Sequence, residues 1–274
     1  MKFYSLTEEL NFSHKRYLLE DKIIKSIISK GYRVLEPNVN ILSSDLTKTI
    51  IRDIRKRVDE NEILKIAYRG TTLRKIGAEF IGSESMDSDI EILKLVLEIL
   101  ELIGEEYVLE ISHSSFLNNL LYQSNIEKAL YPEIFEAIKQ RDSFKVSKFI
   151  ELENIFKLNG NIQEIALNLE KYNQSTSYSL EKLISLDMKL SETFSKKPNI
   201  VYDMAMVSDQ EYYSGVIFKA YIKNSNSAII KGGRYTIKDT KVGDLQAVGF
   251  SVEIDNLNRV ISNQKKSFES EEKK

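Results

Sequence analysis

Hydrophobic and polar residues segregate at helical spacing near the start of the chain. Between His14 and Lys30 the leucine and isoleucine positions fall on one face and most charged residues lie off it, which predicts an amphipathic helix. Gly31 is typical of the residue just past a helix, and the sequence from Tyr32 to Pro37 predicts a short strand closed by proline. A second helix is predicted between Asp45 and Val58.

The strongest helical pattern lies between Asp89 and Ile103. Its apolar residues surround most of the helix circumference, so we expect burial on more than one side. Asp87 or Ser88 is positioned to cap its first turn, and Gly104 to end it.

Alternating segments predict strands on both sides of a long helical region. Residues from about 115 to 194 are predicted to be helical, with breaks at Tyr131–Pro132 and Asn159–Gly160, and we interpret them as an insert. The charged tail over residues 265–274 is predicted to be disordered. The predicted strands cover residues 63–68, 77–82, 107–112, 200–206, 214–223, 228–231 and 246–254, and a last helix covers about 255–264.

This order of elements lacks a regular strand–helix–strand alternation, which indicates an α+β fold. We expect a mostly antiparallel sheet flanked by helices, in one domain over residues 1–264 with the insert inside it. A chain of 274 residues with 42% hydrophobic content has ample material for such a core.

Composition excludes several classes of site. The net charge of -2 gives no electrostatic reason to expect a nucleic-acid partner. Cysteine is absent and there are only two histidines, His14 and His113, which excludes thiolate metal sites and three-histidine sites from one chain. No segment reaches about 18 apolar residues, so we expect no membrane association and a cytoplasmic location. No cofactor and no metal are expected.

Five short motifs stand in a fixed order along the chain. They are Leu42 to Thr47, Tyr68 to Gly82, Tyr212 to Gly215, Gly232 to Tyr235 and Gly249 to Leu257. In this order and at this spacing they resemble the catalytic domain of histidyl-tRNA synthetases, which have the class II synthetase fold and a turn at the fourth motif. The resemblance covers nearly the whole chain apart from the insert and the tail.

The resemblance implies a pocket for histidine. In the family, the residues at the positions of Asp45 and Thr47 hold the α-ammonium group, the residue at Glu79 reads the imidazole, and the tyrosines at Tyr212 and Tyr213 line the pocket. Each motif taken alone has a plainer reading. Asp45 and its neighbours would cap a helix, Glu79 would face solvent at a strand end, and the tyrosines would pack a core.

Departures from the family fall on the positions that handle ATP. Arg74 and Arg234 match the remaining arginines and are candidate remnants of an ATP site. Ser208 replaces a catalytic arginine, Asn256 replaces the arginine that stacks on adenine, and the loop after Arg74 shrinks to Lys75 and Ile76. These losses predict that the chain does not aminoacylate, and the anticodon-binding domain of the synthetases is also expected to be absent.

A synthetase-like chain with an amino-acid pocket and no ATP chemistry resembles the regulatory subunits of ATP phosphoribosyltransferase. That resemblance implies a non-catalytic protein that activates the short-form catalytic subunit, dimerises around Pro37 within a hetero-octamer, and takes part in feedback inhibition by L-histidine. Two alternatives remain open. One is a scaffold subunit that has lost histidine binding. The other is a synthetase-like enzyme of different amino-acid specificity.

Overall fold

A nine-stranded mixed sheet forms the centre of the molecule over the residues that the structure, a computed structural model, describes. Those residues are 6–36, 46–70, 74–149, 152–169, 177–194, 198–208 and 212–260. The strands are β1 (Arg33–Val34), β2 (Leu64–Arg69), β3 (Lys75–Ile81), β4 (Tyr107–His113), β5 (Asn159–Gly160), β6 (Ile200–Asp203), β7 (Tyr213–Ile222), β8 (Ile230–Thr240) and β9 (Gly243–Glu253).

The strand order across the sheet is β1-β2-β3-β9-β8-β7-β4-β6-β5. Only the β1–β2 and β4–β6 pairs are parallel, and the six other pairs are antiparallel. The predicted α+β class and mostly antiparallel sheet are therefore confirmed.

Helices account for most of the remaining chain. They are α1 (Leu6–Ser29), α2 (Leu46–Ile54), α3 (Met86–Ile103), α4 (Ser115–Gln123), α5 (Tyr131–Lys139), α6 (Ser143–Val146), α7 (Ile162–Leu169) and α8 (Ser177–Thr193). Short 3-10 turns cover Lys128–Leu130, Ser147–Phe149 and Leu152–Lys157, and residues 254–260 are also helical.

Strand alternation sorts the side chains of the sheet onto two faces. On one face the main core joins residues of β3 and β9 to α1, α3 and the helices of the insert. On the other face a smaller cluster joins Ile66, Tyr68 and Tyr235 of the strands to Leu46 and Ile50 of α2. This second face carries the candidate site.

Local signals explain the ends of α3. The Oγ of Ser85 accepts a hydrogen bond from the backbone N–H of Asp87, so Ser85 is the N-cap and the predicted caps at Asp87 and Ser88 are wrong by two to three residues. Gly104 ends the helix in the left-handed conformation with φ 75°, as predicted, and its N–H donates to the carbonyl of Leu100.

Another expectation needs correction. Gly232 to Tyr235, a turn in the family that the chain resembles, lies inside the long strand β8, which pairs with both β7 and β9. The break predicted at Asn159–Gly160 is present, and it takes the form of the short strand β5, which pairs with β6 at the edge of the sheet. Pro37, Asp45 and the tail over 265–274 lie outside the described residues.

Candidate functional site

A pocket lies on the sheet face that carries α2, with β3, β9, β8 and β7 as its floor. Its lining includes four of the residues that the sequence predicted as histidine ligands, namely Thr47, Glu79, Tyr212 and Tyr213. The fifth, Asp45, precedes α2 and lies outside the described residues.

Glu79 is the buried acceptor at the centre of the pocket. Glu79 is only 1% exposed, yet both of its carboxylate oxygens accept hydrogen bonds. The Thr47 hydroxyl donates to Oε1 at 2.8 Å, and the Tyr235 hydroxyl donates to Oε2 at 2.9 Å. The carboxylate therefore faces the pocket and not the solvent, and it ties α2 and β8 to β3.

Tyr235 is a site residue that the sequence analysis missed. Burial raises the pKa of its phenol well above the ordinary value, and the Glu79 carboxylate raises it further, so Tyr235 remains a donor. The alternation of side chains between the two faces of a strand could have identified Tyr235. Once Gly232 to Tyr235 is a strand and not a turn, Tyr235 shares a face with Gly233 and with the pocket.

An aromatic wall closes one side of the pocket. The rings of Tyr212 and Tyr213 lie 5.0 Å apart, and the ring of Tyr212 meets that of Tyr235 edge-on at 5.6 Å. Lys48 places its Nζ 5.7 Å from the centre of the Tyr212 ring. The wall suits a flat, polarisable ligand group lying between the rings and the Glu79 carboxylate.

Glycines on the floor leave room for the Glu79 carboxylate and the Tyr213 ring. Gly249 pairs with Glu79 across the β3–β9 ladder, and a Cβ at Gly249 would lie 1.8 Å from the Oε2 of Glu79. A Cβ at Gly233 would lie 2.7 Å from the carbonyl oxygen of Val216 and 2.9 Å from the Tyr213 ring. Neither position accepts a side chain without displacing the pocket lining.

Arg234 lies on the opposite face of the sheet from this pocket. Its Nε donates to Asp89 at 2.9 Å, and its other nitrogens donate to Ser88 Oγ and to the carbonyls of Ser83 and Ser85. The guanidinium thus binds the first turn of α3, with only 10% of its side chain exposed. This placement argues against its sequence-based interpretation as an ATP-site remnant.

Arg74 lies beside α1, outside the lining of the Glu79 pocket. Its guanidinium contacts Glu20 at 2.7 Å and Asp255 at 3.0 Å, and Glu20 also accepts from Arg69 at 2.6 Å. A carboxylate from α1 is therefore already paired with the arginine that was expected to contact ATP. The two candidate ATP residues do not come together.

The remaining lining includes several polar and basic residues. Ser208, which stands where the family has an arginine, lines the pocket. Lys75, Lys219 and Lys231 line it as well, and the sequence analysis did not select them as ligands. Within the described ranges there is no group of three or more metal-ligating side chains, and no helix is long and apolar enough to cross a membrane.

Comparison with known proteins matches most of the chain. The family model described as Histidyl-tRNA synthetase matches residues 40–257. A protein of Caldanaerobacter subterraneus named ATP phosphoribosyltransferase regulatory subunit is 25% identical over 93% of this chain and 72% of its own length. Proteins of the same name from Halothermothrix orenii and Lactococcus lactis are 24% and 28% identical, over 86% and 81% of this chain. The chain spans 63% of the Halothermothrix relative and 74% of the Lactococcus relative.

Solved structures share the fold. A regulatory subunit/histidyl-tRNA synthetase of Bacillus halodurans superposes with a TM-score of 0.79 at 20% identity, over 94% of this chain and 81% of that chain. The ATP phosphoribosyl transferase (HisG:HisZ) complex of Thermotoga maritima contains a chain that superposes with a TM-score of 0.68 at 20% identity, over 87% of this chain and 97% of that chain.

Proposed function

We propose that this chain, which belongs to the histidyl-tRNA synthetase family, is the regulatory subunit of an ATP phosphoribosyltransferase in histidine biosynthesis. The observation that carries the proposal is that the two ends of the family's active site differ in this chain. At the end that would hold the amino acid, Glu79 is buried and accepts hydrogen bonds from Thr47 and Tyr235. The arginines expected at the ATP end bind other parts of the protein. The names of the relatives favour the same function.

The chain would perform no chemistry of its own. Adenylation needs donors held in place around the phosphates of ATP. Here Arg74 is paired with Glu20 and Asp255, and Arg234 binds Asp89 of α3 on the opposite face of the sheet. Neither guanidinium is placed to act on a nucleotide bound next to Glu79, so we expect neither aminoacylation nor adenylate formation.

L-Histidine is the effector that the pocket would bind. The Glu79 carboxylate has lone pairs beyond those used by Thr47 and Tyr235, and can accept an imidazole N–H. The Thr47 hydroxyl donates to Glu79 but still has acceptor capacity for an α-ammonium group. Asp45 would supply the charge for that ammonium group, as the sequence predicts.

Assembly with a catalytic subunit would turn histidine binding into feedback inhibition. We propose the short-form catalytic subunit as the partner, self-association of this chain through α1 and the Pro37 segment, a hetero-octamer as the whole assembly, and the cytoplasm as its location. Linkage requires that if histidine weakens substrate binding by the partner, substrate weakens histidine binding by the same factor.

The deciding experiment is a titration of the short-form catalytic subunit from the same source with this chain, while phosphoribosyl transfer is followed. We expect activity to appear and to saturate at a fixed ratio of subunits, and to fall when L-histidine is added. A catalytic subunit whose rate ignores this chain at every ratio would overturn the proposal.

Histidine binding is tested separately on the isolated chain by calorimetry. Glu79→Gln should abolish measurable binding, because it removes the negative acceptor for the imidazole. Glu98→Gln is the matched control, because Glu98 lies on α3 and pairs with Lys30. Activation of the partner without histidine binding would favour the scaffold alternative.

A further inference from the structure

One wall of the pocket begins with a tight turn that Asp203 shapes. Asp203 is the last residue of β6, and its carboxylate accepts the backbone N–H of Ala205 at 2.9 Å. Its carbonyl accepts the N–H of Met206 at 3.1 Å. An aspartate that accepts from the backbone two residues further on is typical of such a turn. Because Met206 and Ser208 line the pocket, the Asp203 carboxylate directs the chain from the sheet into the pocket wall.

The helical insert surrounds this aspartate. Arg141, in the turn between α5 and α6, donates a hydrogen bond from its guanidinium to the second carboxylate oxygen, Oδ2. Asn159 of β5 pairs with Asp203 in the sheet. The carbonyl of Leu158 accepts the backbone N–H of Met204 at 3.0 Å. The insert therefore contacts the start of the pocket wall through its backbone and through the Arg141 side chain.

The Asp203 carboxylate depends on Arg141 because it is buried. Its side chain is 2% exposed, whereas that of Arg141 is 49% exposed. Removing one partner of such a pair leaves a buried charge without compensation. Burial raises the pKa of the neighbouring Glu110, and the negative charge of Asp203 raises it further. The positive charges of Arg141 and Lys219 oppose that rise, so the loss of Arg141 would increase the repulsion between two carboxyl groups beside the turn.

The backbone at Arg141 has a conformation that is unusual for a residue with a side chain. Its φ is 55°, in the left-handed region, where it follows the end of α5. Glycine would be less strained there, and residues held in such conformations are over-determined by their surroundings. The guanidinium also lies 5.5 Å from the centre of the Phe156 ring. The insert therefore holds Arg141 from both its backbone and its side chain while the guanidinium binds Asp203.

We propose that Arg141 is a positioning residue through which the helical insert shapes the ligand pocket, acting on the pocket wall through Asp203. The inference rests on the proposed function only for the identity of the ligand, L-histidine. It connects the insert to the site in both directions. A change at the turn between α5 and α6 would alter ligand affinity, and by linkage a bound ligand would stabilise that turn.

Hydrogen–deuterium exchange of the whole chain tests the contact between insert and wall, because it reports local opening without any ligand. In Arg141→Met the amides from Met204 to Ser208 should exchange at least about tenfold faster than in the wild type, since one partner of a buried pair is missing. The amides of β8 and β9 should keep their rates. Arg141→Lys retains a positive charge and should restore most of the protection.

Calorimetry with L-histidine tests the effect on the ligand. Arg141→Met should bind histidine about tenfold more weakly, which corresponds to a formed wall in about one molecule in ten. The double variant Arg141→Met/Asp203→Asn should recover much of that loss, because asparagine keeps an oxygen for the N–H of Ala205 and carries no charge. Saturating histidine should slow exchange at the turn between α5 and α6 in the wild type but not in Arg141→Met.

Lys189→Met is the matched control. Lys189 is a cation of the insert with a 48% exposed side chain, and it pairs with Asp87 at 2.6 Å. Its replacement should change neither the exchange from Met204 to Ser208 nor histidine binding. Losses equal to those of Arg141→Met would show that any broken ion pair of the insert disturbs the pocket, and would overturn the specific role of Arg141.

Two results for Arg141→Met would overturn the inference and leave the proposed function standing. One is histidine binding equal to that of the wild type. The other is exchange that is unchanged from Met204 to Ser208, or faster throughout the chain, since Arg141 would then act elsewhere or only on global stability. A wild type that binds no histidine would overturn the effector role instead. The exchange of Arg141→Met without ligand would still decide whether Arg141 positions the wall.

Discussion

Gly249 leaves the space that the Glu79 carboxylate occupies in the pocket. Gly249→Ala would place a Cβ 1.8 Å from Glu79 Oε2 and 2.6 Å from the carbonyl oxygen of Ala78. The carboxylate would have to leave its bonds to Thr47 and Tyr235, so we expect a loss of about 1–3 kcal/mol in the free energy of unfolding and loss of histidine binding. Urea denaturation and calorimetry measure the two effects. Ser251→Ala, two residues along the same face, is the control, and a stable Gly249→Ala that binds histidine normally would contradict the geometry.

His113 makes the stability of the protein depend on pH. Burial and, to a smaller extent, the positive charge of Lys182 lower the pKa of His113 to about 4, whereas the unfolded chain titrates near 6.5. Between these values the unfolded state binds more protons than the folded state, so stability is lost as the pH falls through this window. The His113 contribution should decrease by about 2 kcal/mol between pH 7 and pH 5, since one unit of pKa corresponds to about 1.4 kcal/mol.

The chain supplies its own control for this prediction, because its other histidine, His14, lies exposed on α1. Urea denaturation at pH 7 and pH 5 should give the same pH-dependent loss in His14→Gln as in the wild type. In His113→Gln that loss should be smaller by about 2 kcal/mol, because the variant lacks the contribution of His113 protonation. An unchanged loss in His113→Gln would show that other groups control the pH dependence.

At the scale of elements, Arg234 joins β8 to the start of α3. Its guanidinium pairs with Asp89 and also donates hydrogen bonds to two backbone carbonyls of the Ser83–Ser85 turn. Another side chain would not easily replace all of these contacts. Burial already raises the pKa of Asp89 while Arg234 opposes the rise. Arg234→Met would leave that carboxyl without its partner, and we expect a loss of about 3–5 kcal/mol.

Removal of the N-cap of the same helix is a smaller stability loss with which the Arg234→Met loss can be compared. Ser85→Ala removes one capping bond and should cost about 1 kcal/mol in urea denaturation. The double variant Arg234→Met/Asp89→Leu should recover part of the Arg234→Met loss, because the buried charge is then gone. If Arg234→Met costs no more than Ser85→Ala, the arginine is not the connection that the contacts indicate.

Element-scale prediction from the sequence succeeds where a pattern is local. The apolar run of α3 and the alternation of β4 predict their elements to within a few residues, because the buried face repeats inside each element. β8 is different. Its glycine pair predicts a turn locally, and only pairing with β7 and β9 on both sides makes it a strand.

The same difference between local patterns and strand pairing explains which site residues the sequence predicted and which it missed. Glu79 and the tyrosine pair follow from motifs that the sequence displays directly, and the structure brings them into one pocket. Tyr235 and Arg234 are adjacent in the sequence, but they belong to opposite faces once β8 is a strand. The position of Lys219 opposite Lys231 depends on the register between β7 and β8, which no pattern within a single strand specifies.

At the scale of the whole molecule, the ligand pocket and the long helix α1 contribute to different surfaces. α1 buries Ile23 and Ile27 in the main core, yet it leaves Leu10, Tyr17, Leu18 and Ile28 exposed. Large apolar side chains exposed along one helix are typical of a surface that meets a partner. They lie on the helix proposed above for self-association, which makes this surface the natural place to test the dimer.

Leu18→Asp should convert the proposed dimer to a monomer without unfolding it. Leu18 is 44% exposed, so an aspartate there remains hydrated in the monomer but would be buried without a partner in an interface. Ile27 is unsuited to the test, because it is 0% exposed and its replacement would disrupt the core. Sedimentation velocity measures the mass, and circular dichroism checks the fold. Met188→Asp, at an apolar position on α8 that is 57% exposed, should leave the dimer intact. If Leu18→Asp sediments as the wild-type dimer, or if Met188→Asp is the variant that dissociates, self-association does not use α1, and the exposed residues of the insert become the surface to examine.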